Sequence, residues 1–567
     1  MPLPPIKNLK SIGRFLLAFG LILYAVWRTS SGLESQMDIR FYDESFYLTQ
    51  GLFHPISSWI ADYSALYSLY YKAFSSIFTS EPIDLYYQNY RFWACELALV
   101  VFVVMRFSGV NYWFSLFWAL SSLSSELNYP LWPKAGHLAM FGVTLGLFCV
   151  YKLKKRPFEA AFCCTGICFA LAWCRPEFFL GGVFGVIYSG FLFLKNGLKP
   201  TLNVLIILPF ILSILFMLIW DLPVGNSGRG LVAFGQHYVY NLASHVSSSK
   251  GDVEMDWINW RERFAPDFGN SNSIFAALFY NPAAFFSHIW INAQAIFYRC
   301  FVYFFETLIP NRSLGIPISG TIAVLGFGLE SLHHFNGVSG WWVKRKDQIK
   351  SFLPFLFILT IPSFTAGFVF LPRPHYLLPL FPVFLFCIGS ILSEFTFPFI
   401  QKRYVSWFGM ASIAILCAFL PDASAFFRSK KNASNQSQAR SSFNNFEPIV
   451  SDGTPNKILV KNLLKINWPQ GTRIFDASTG ATEYVGARVQ QVGKIGFELN
   501  YPMLIDFNKF LIKHKIDVVF IRKSVYKDRF FAKQKSWQTF RSNPKSMGWR
   551  KEAVGQDGDS LFFKLKQ

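Results

Sequence analysis

The chain has 567 residues, 52% hydrophobic and 19% aromatic, with only 15% charged and a net charge of +21. A soluble protein of this size carries about a quarter charged residues, and the repeated long apolar runs exclude a soluble globule in favour of a polytopic α-helical membrane protein. The nine cysteines fall almost entirely in the apolar runs, which excludes a disulfide framework; no nucleic-acid motif accompanies the basic charge, so anionic lipid is its expected partner.

In chain order, eleven spans are expected, at about 12–28, 86–105, 110–127, 136–151, 158–174, 178–194, 201–220, 315–332, 351–371, 375–393 and 404–420. The first is retained, because Trp27-Arg28-Thr29 lacks a small-residue cleavage pattern. Lys7, Lys10 and Arg14 place the N-terminus in the cytoplasm, and Lys152-Leu153-Lys154-Lys155-Arg156 follows on the same side. Lys344-Arg345-Lys346 and Lys402-Arg403 also fall inside, provided that Phe285–Pro310 does not cross. That segment carries His288, Asn292, Gln294, Arg299 and Glu306, and is expected to be interfacial or re-entrant.

Residues 1–420 thus read as a helical bundle with two long outer loops, 29–85 and 221–314. In the first, Leu66, Leu69, Tyr70, Ala73 and Phe74 recur at helical spacing, as in an interfacial helix. The second opens on the flexible, Gly-rich stretch Asp221–Gly230. Residues 421–450 read as a polar linker. Residues 451–567 read as a small extracytoplasmic α/β domain, with strands at 473–477, 516–522 and 560–565 and a helix at 507–514. Residues 421–567 hold 25 Lys and Arg against 12 Asp and Glu, a net +13.

Four stretches on the outer side carry groups fit for chemistry. Asp43-Glu44 follows the first span, framed by Phe41, Tyr42, Phe46 and Tyr47. One carboxylate can act as a general base while its neighbour orients it, binds a metal or raises its pKa; an ordinary solvated pair is the alternative. Glu126, Lys134 and His137 flank a Pro-rich loop, where a cation can hold phosphate or a lysine can snorkel. In Arg175-Pro176-Glu177 the charges serve a substrate or pair with each other. Arg373-Pro374-His375-Tyr376 offers a guanidinium matched to phosphate oxygens and a second donor in His375, or else an interfacial anchor.

In the order of these motifs the chain resembles the GT-C superfamily of polytopic glycosyltransferases, closest to the protein O-mannosyltransferase and aminoarabinose-transferase branch. Asp43-Glu44, the aromatic Leu66–Phe74 helix, Arg175-Pro176-Glu177 and Arg373-Pro374-His375-Tyr376-Leu377-Leu378-Pro379 carry the resemblance, over about residues 10–420. It implies transfer of a sugar from a polyprenyl-phosphate donor to a lipid-linked, surface-glycan or protein acceptor, with inversion, outside the cell inner membrane. It implies Asp43 as the base, Glu44 as its support, and Arg373, with Lys134 or His137, on the leaving phosphate. The Pro-Pro that many relatives carry before the Leu-Tyr of the interfacial helix is missing from Asp62-Tyr63-Ser64-Ala65-Leu66-Tyr67, so acceptor identity does not carry over. No complete ligand set is visible, and a divalent metal ion stays open as a cofactor. The rival readings are a transporter or flippase, which calls for internal repeats and mid-depth charges, and a polymerase or ligase of polyprenyl-linked glycans.

Overall fold

The computed structural model describes residues 9–123 save 42, 60 and 62, then 134–196, 204–223, 229–246, 260–308, 338–392, 402–420, 422–423, and 454–565 outside 477–479, 495–505, 523–533 and 555–558. The span expected at 315–332, nearly all of the 421–450 linker, and Glu126 lie outside the described residues.

The N-terminal part is helical: α1 (Leu9–Thr29), α2 (Leu33–Gln36), α3 (Asp43–Phe53), α4 (Ala65–Ile77), α5 (Pro82–Phe107), α6 (Tyr112–Ser122), α7 (Ala135–Lys152), α8 (Pro157–Ala172), α9 (Phe178–Asn196) and α10 (Val204–Trp220). The second outer region adds α11 (Arg229–Val246), α12 (Trp260–Phe268), α13 (Ile274–Tyr280) and α14 (Pro282–Leu308). Then come α15 (Val338–Val369), α16 (Pro374–Leu377), α17 (Phe381–Leu392) and α18 (Lys402–Phe419).

Among the described residues four helical stretches are long and apolar enough to cross a membrane: Ile12–Gln36, Ala135–Lys152, Phe178–Lys195 and Ser351–Val369. The pair Ile274–Tyr280 and Pro282–Cys300, bent by 115°, makes a fifth if it counts as one span. Their outer faces are apolar in the way a lipid-facing surface requires: Leu16 is 60% exposed, Trp27 65% and Ile187 62%. Small residues let the helices approach closely. A Cβ on Gly185 would run into Thr165 Oγ1, and one on Gly181 would meet Ile358 O at 2.7 Å.

Beyond the bundle stand α19 (Pro455–Lys465), α20 (Phe507–Lys513), α21 (Lys535–Ser542) and a five-stranded sheet. Its strands are β1 (Thr472–Asp476), β2 (Val489–Lys494), β3 (Val518–Ile521), β4 (Trp549–Ala553) and β5 (Ser560–Lys564), in the order β2-β1-β3-β5-β4. β1 is parallel to β2 and β3; β5 is antiparallel to β3 and β4.

Because side chains alternate along a strand, the sheet has two buried faces. Phe475, Val519, Ile521 and Phe562 pack on Phe507, Phe510, Trp537 and Phe540 of α20 and α21. Ile474, Val518, Phe520 and Leu561 turn the other way, toward Leu459, Val460 and Leu463 of α19, and this core runs on into the bundle through Ile39 and Phe41. The sheet unit is therefore seated on the segment between α1 and α3.

One buried carboxylate fixes that seat. Asp38, 4% exposed, accepts the backbone N–H groups of Asn456 at 2.8 Å, Lys457 at 2.9 Å and Ile39 at 2.9 Å. It supplies from that segment the acceptor that the free N–H groups at the start of α19 need. Gly480, at φ +122°, lies so close to α3 that a Cβ would meet Ser45 Oγ at 2.9 Å. Asp38→Ala is expected to cost about 1–2 kcal/mol and to speed amide exchange at Asn456 and Lys457. Unchanged protection there, read by hydrogen exchange, would show that the cap does not hold α19.

Candidate functional site

Asp43 and Glu44 open α3, where carboxylates suit the positive end of the helix. Their environments differ. Glu44 is 1% exposed. Its Oε1 accepts from Tyr67 OH at 2.9 Å, Tyr71 OH at 2.5 Å and Asn89 Nδ2 at 3.2 Å, and its Oε2 accepts from Lys134 N at 2.8 Å. A buried carboxylate is stable when such donors surround it. Burial, then Glu44 itself, pushes both phenols well above their usual range, so they remain neutral donors.

These bonds also correct the expected face of α4. The helix forms as expected, but it buries Tyr67, Ser68, Tyr71 and Phe74, while Leu66, Leu69 and Tyr70 are half-buried and Ala73 is exposed. The hydroxyls at i and i+4 serve Glu44, and that outranks the apolar stripe.

Asp43 is half-buried. Its Oδ1 lies 3.6 Å from Nη2 of Arg229, the first residue of α11. The same guanidinium donates to Tyr47 OH at 3.0 Å and covers the Tyr63 ring at 4.3 Å. Arg229 was expected in a flexible Gly-rich stretch; instead it starts a helix whose polar face turns inward.

The later motifs arrive at neighbouring places. Cys174 Sγ lies 3.3 Å from Ala135 O, and a Cβ on Gly136 would meet His375 O at 2.7 Å, so the segments carrying Lys134, Arg175 and His375 abut. Arg175 covers the Tyr376 ring at 4.4 Å and donates through Nε to Glu177 Oε1 at 2.9 Å. Its Nη2 is buried without a hydrogen-bond partner among the described residues. Arg373, 7% exposed, interacts electrostatically with Asp43 and Tyr376. Burial lowers its guanidinium to about 10, still cationic at neutral pH.

Lys134 caps this group. Its Nζ sits over the rings of Tyr90 at 4.4 Å and Tyr86 at 5.3 Å and is also buried without a hydrogen-bond partner. Burial pulls the ammonium down to about 7, with Glu44 pulling the other way.

Thus Asp43, Arg175, Arg373, His375 and Tyr376 come together, with Glu44 and Lys134 behind Asp43. His137 does not join them. Its Nδ1 is 3.4 Å from Glu96 Oε2, and its ring packs 5.9 Å from Trp93, inside the bundle. At the third position of α7 it is within electrostatic reach of Lys134, but Glu96 takes up its ring nitrogen.

The second outer region supplies parts that the sequence did not announce. Asn292 Nδ2 donates to Phe368 O at 2.8 Å and Phe370 O at 2.9 Å. His288 Nε2 donates to Val369 O at 3.0 Å, and Arg299 Nη1 to Pro372 O at 2.6 Å. The polar residues that made 285–310 a poor span hold the backbone leading into Arg373. On α11, His237 is 2% exposed; burial, then Arg373 beside it, holds its imidazole well below the usual range. This helix carries no motif; Arg229, Gln236, His237 and Tyr240 are polar positions scattered through an apolar stretch.

Among the described residues no group of three or more His, Cys, Asp or Glu side chains could hold a metal ion. No protein-family model and no curated protein sequence matches the chain.

Proposed function

We propose that the protein is a membrane glycosyltransferase that moves a sugar from a polyprenyl-phosphate donor to a lipid-linked, surface-glycan or protein acceptor on the outer face of the cell inner membrane. In this reading the shorter apolar helices complete a GT-C-like bundle of about eleven spans, the N-terminus is cytoplasmic and the sheet unit extracytoplasmic. One observation carries the proposal. A half-buried carboxylate, Asp43, stands beside a set of buried cations brought from distant stretches, and two of these, Lys134 Nζ and Arg175 Nη2, have no acceptor among the described residues. Buried donors without acceptors are costly, and a phosphate monoanion or dianion would satisfy them.

The chemistry follows from the arrangement. Asp43 takes the proton of the acceptor hydroxyl as it attacks the anomeric carbon, and lipid phosphate departs with its charge matched by Arg373 and Arg175. Glu44 acts through its bonds, holding α3, α4, α5 and the start of α7 in register behind Asp43. The test is incubation of the full chain, in nanodiscs, with labelled glycosyl undecaprenyl phosphates and membrane extracts as acceptor source. Transfer with release of undecaprenyl phosphate supports the proposal. Movement of the lipid between leaflets with its sugar bond intact would replace it with a flippase.

The lysine gives a pH signature. Below about pH 7 Lys134 carries its proton and adds a cation; as pH rises through that value the cation is lost. Undecaprenyl phosphate should therefore bind progressively more weakly above pH 7. Lys134→Arg, whose guanidinium stays charged, should flatten the profile. Identical profiles for the two proteins, which share the ligand's own titration, would exclude Lys134 from the phosphate site.

A further inference from the structure

Another buried donor without an acceptor among the described residues lies on α11. Gln236 is 4% exposed, and its Nε2 has no hydrogen-bond partner among the described residues. Its position on the helix says what it faces. Residues seven and eleven apart differ by only about 20° around a helix, so Arg229, Gln236 and Tyr240 form one stripe, with Gln236 about 10 Å below Arg229. The upper end meets Asp43 and Tyr47. The lower end meets Arg373, which interacts electrostatically with Tyr240. On the same stripe Ala233 is small and only half-buried, leaving room beside the helix.

Gln236 therefore faces the interval between the group assigned to the acceptor proton and the group assigned to the leaving phosphate. In a transfer reaction that interval holds the transferred sugar. We propose that Gln236 donates a hydrogen bond to an oxygen of the transferred sugar and that this sugar is a neutral one. The proposal rests on the glycosyltransferase reading and names its substrate class.

The charge of the surroundings supports the second half. A sugar carrying an ammonium group needs a carboxylate opposite it. Among the described residues the carboxylates near this interval are engaged: Glu44 accepts from four donors, Glu177 from Arg175, and Asp43 pairs with Arg229. What remains turned toward the sugar is an amide N–H, a partner for a hydroxyl or ring oxygen.

The test is binding to the full chain in nanodiscs of four probes: undecaprenol, undecaprenyl phosphate, glucosyl undecaprenyl phosphate and a 4-aminopentosyl undecaprenyl phosphate. Wild type should favour the glucosyl lipid over both the bare phosphate and the aminopentosyl lipid. Gln236→Leu, close in shape but without the donor, should cut the preference for the glucosyl lipid over the bare phosphate about tenfold. Its melting temperature should be unchanged or raised, since an unsatisfied buried donor has gone. If Gln236→Leu does not accumulate, Gln236→Ala is measured in its place.

An unchanged preference in the variant overturns the role of Gln236. Aminopentosyl lipid bound at least as tightly as glucosyl lipid overturns the neutral sugar. Lipid phosphates bound no better than undecaprenol overturn the glycosyltransferase reading, and this inference with it.

Discussion

Asp43→Asn is expected to lower transfer from a glycosyl undecaprenyl phosphate by about 10²–10⁴-fold, the usual contribution of a positioned general base. The loss should fall on kcat, because an amide of the same shape fills the same place without accepting a proton. Stability should scarcely move. Asp43 is half-buried, and its ion pair with Arg229 at 3.6 Å is long and partly exposed; such pairs contribute about 0–1 kcal/mol. Donor binding should also persist, since the cations assigned to phosphate are untouched. A variant with wild-type turnover would remove Asp43 from the chemistry, and the glycosyltransferase reading would lose its base.

Glu44→Ala is expected to do the opposite: to unfold rather than to disarm. Four buried donors from three elements converge on this carboxylate. Each left without an acceptor costs about 1–3 kcal/mol, so the loss should be at least about 3 kcal/mol after relaxation. Thermal unfolding in detergent is the direct measurement. Glu44→Gln keeps the shape and one acceptor oxygen and should fall between wild type and alanine. Full stability of Glu44→Ala with transfer abolished would reverse the division of labour and make Glu44 the reacting carboxylate.

That division was only half legible in the sequence. A dipeptide of carboxylates after an apolar run marks the place, but nothing local says which carboxylate is buried and which stays partly exposed. The difference arises because Tyr67 and Tyr71 lie one turn apart on α4 and meet Asn89 and Lys134 from other elements. His137 shows the converse. Its residue type and position suit a phosphate site, yet Glu96, 41 residues earlier, claims it. Arg229 and Gln236 were hidden because their helix follows a Gly-rich stretch and carries no motif.

The sheet shows a similar limit. The strands expected from apolar β-branched and aromatic runs are β1, β3 and β5, the three interior strands in the order β2-β1-β3-β5-β4. β2 (Val489-Gln490-Gln491-Val492-Gly493-Lys494) and β4 (Trp549-Arg550-Lys551-Glu552-Ala553) are the edges. Edge strands tolerate polar and charged side chains, so they carry little of the apolar signal that sequence reading needs.

By itself the sequence pointed to apolar helices long enough to cross a membrane and to a small α/β unit at the C-terminal end, and it marked Asp43-Glu44 as a carboxylate pair after the first apolar run. Hydropathy and strand propensity are sums over neighbours in the chain, so they survive without a fold. The tertiary structure alone decided that Glu44 is a structural hub and Asp43 the accessible carboxylate. It also decided that Asp38 seats the sheet unit on the segment between α1 and α3, and that α11 turns Arg229 and Gln236 toward the site. Each of those outcomes depends on donors and acceptors 23 to 419 residues apart finding one another in a buried place, where an unmatched polar group is costly and a matched one is held fast.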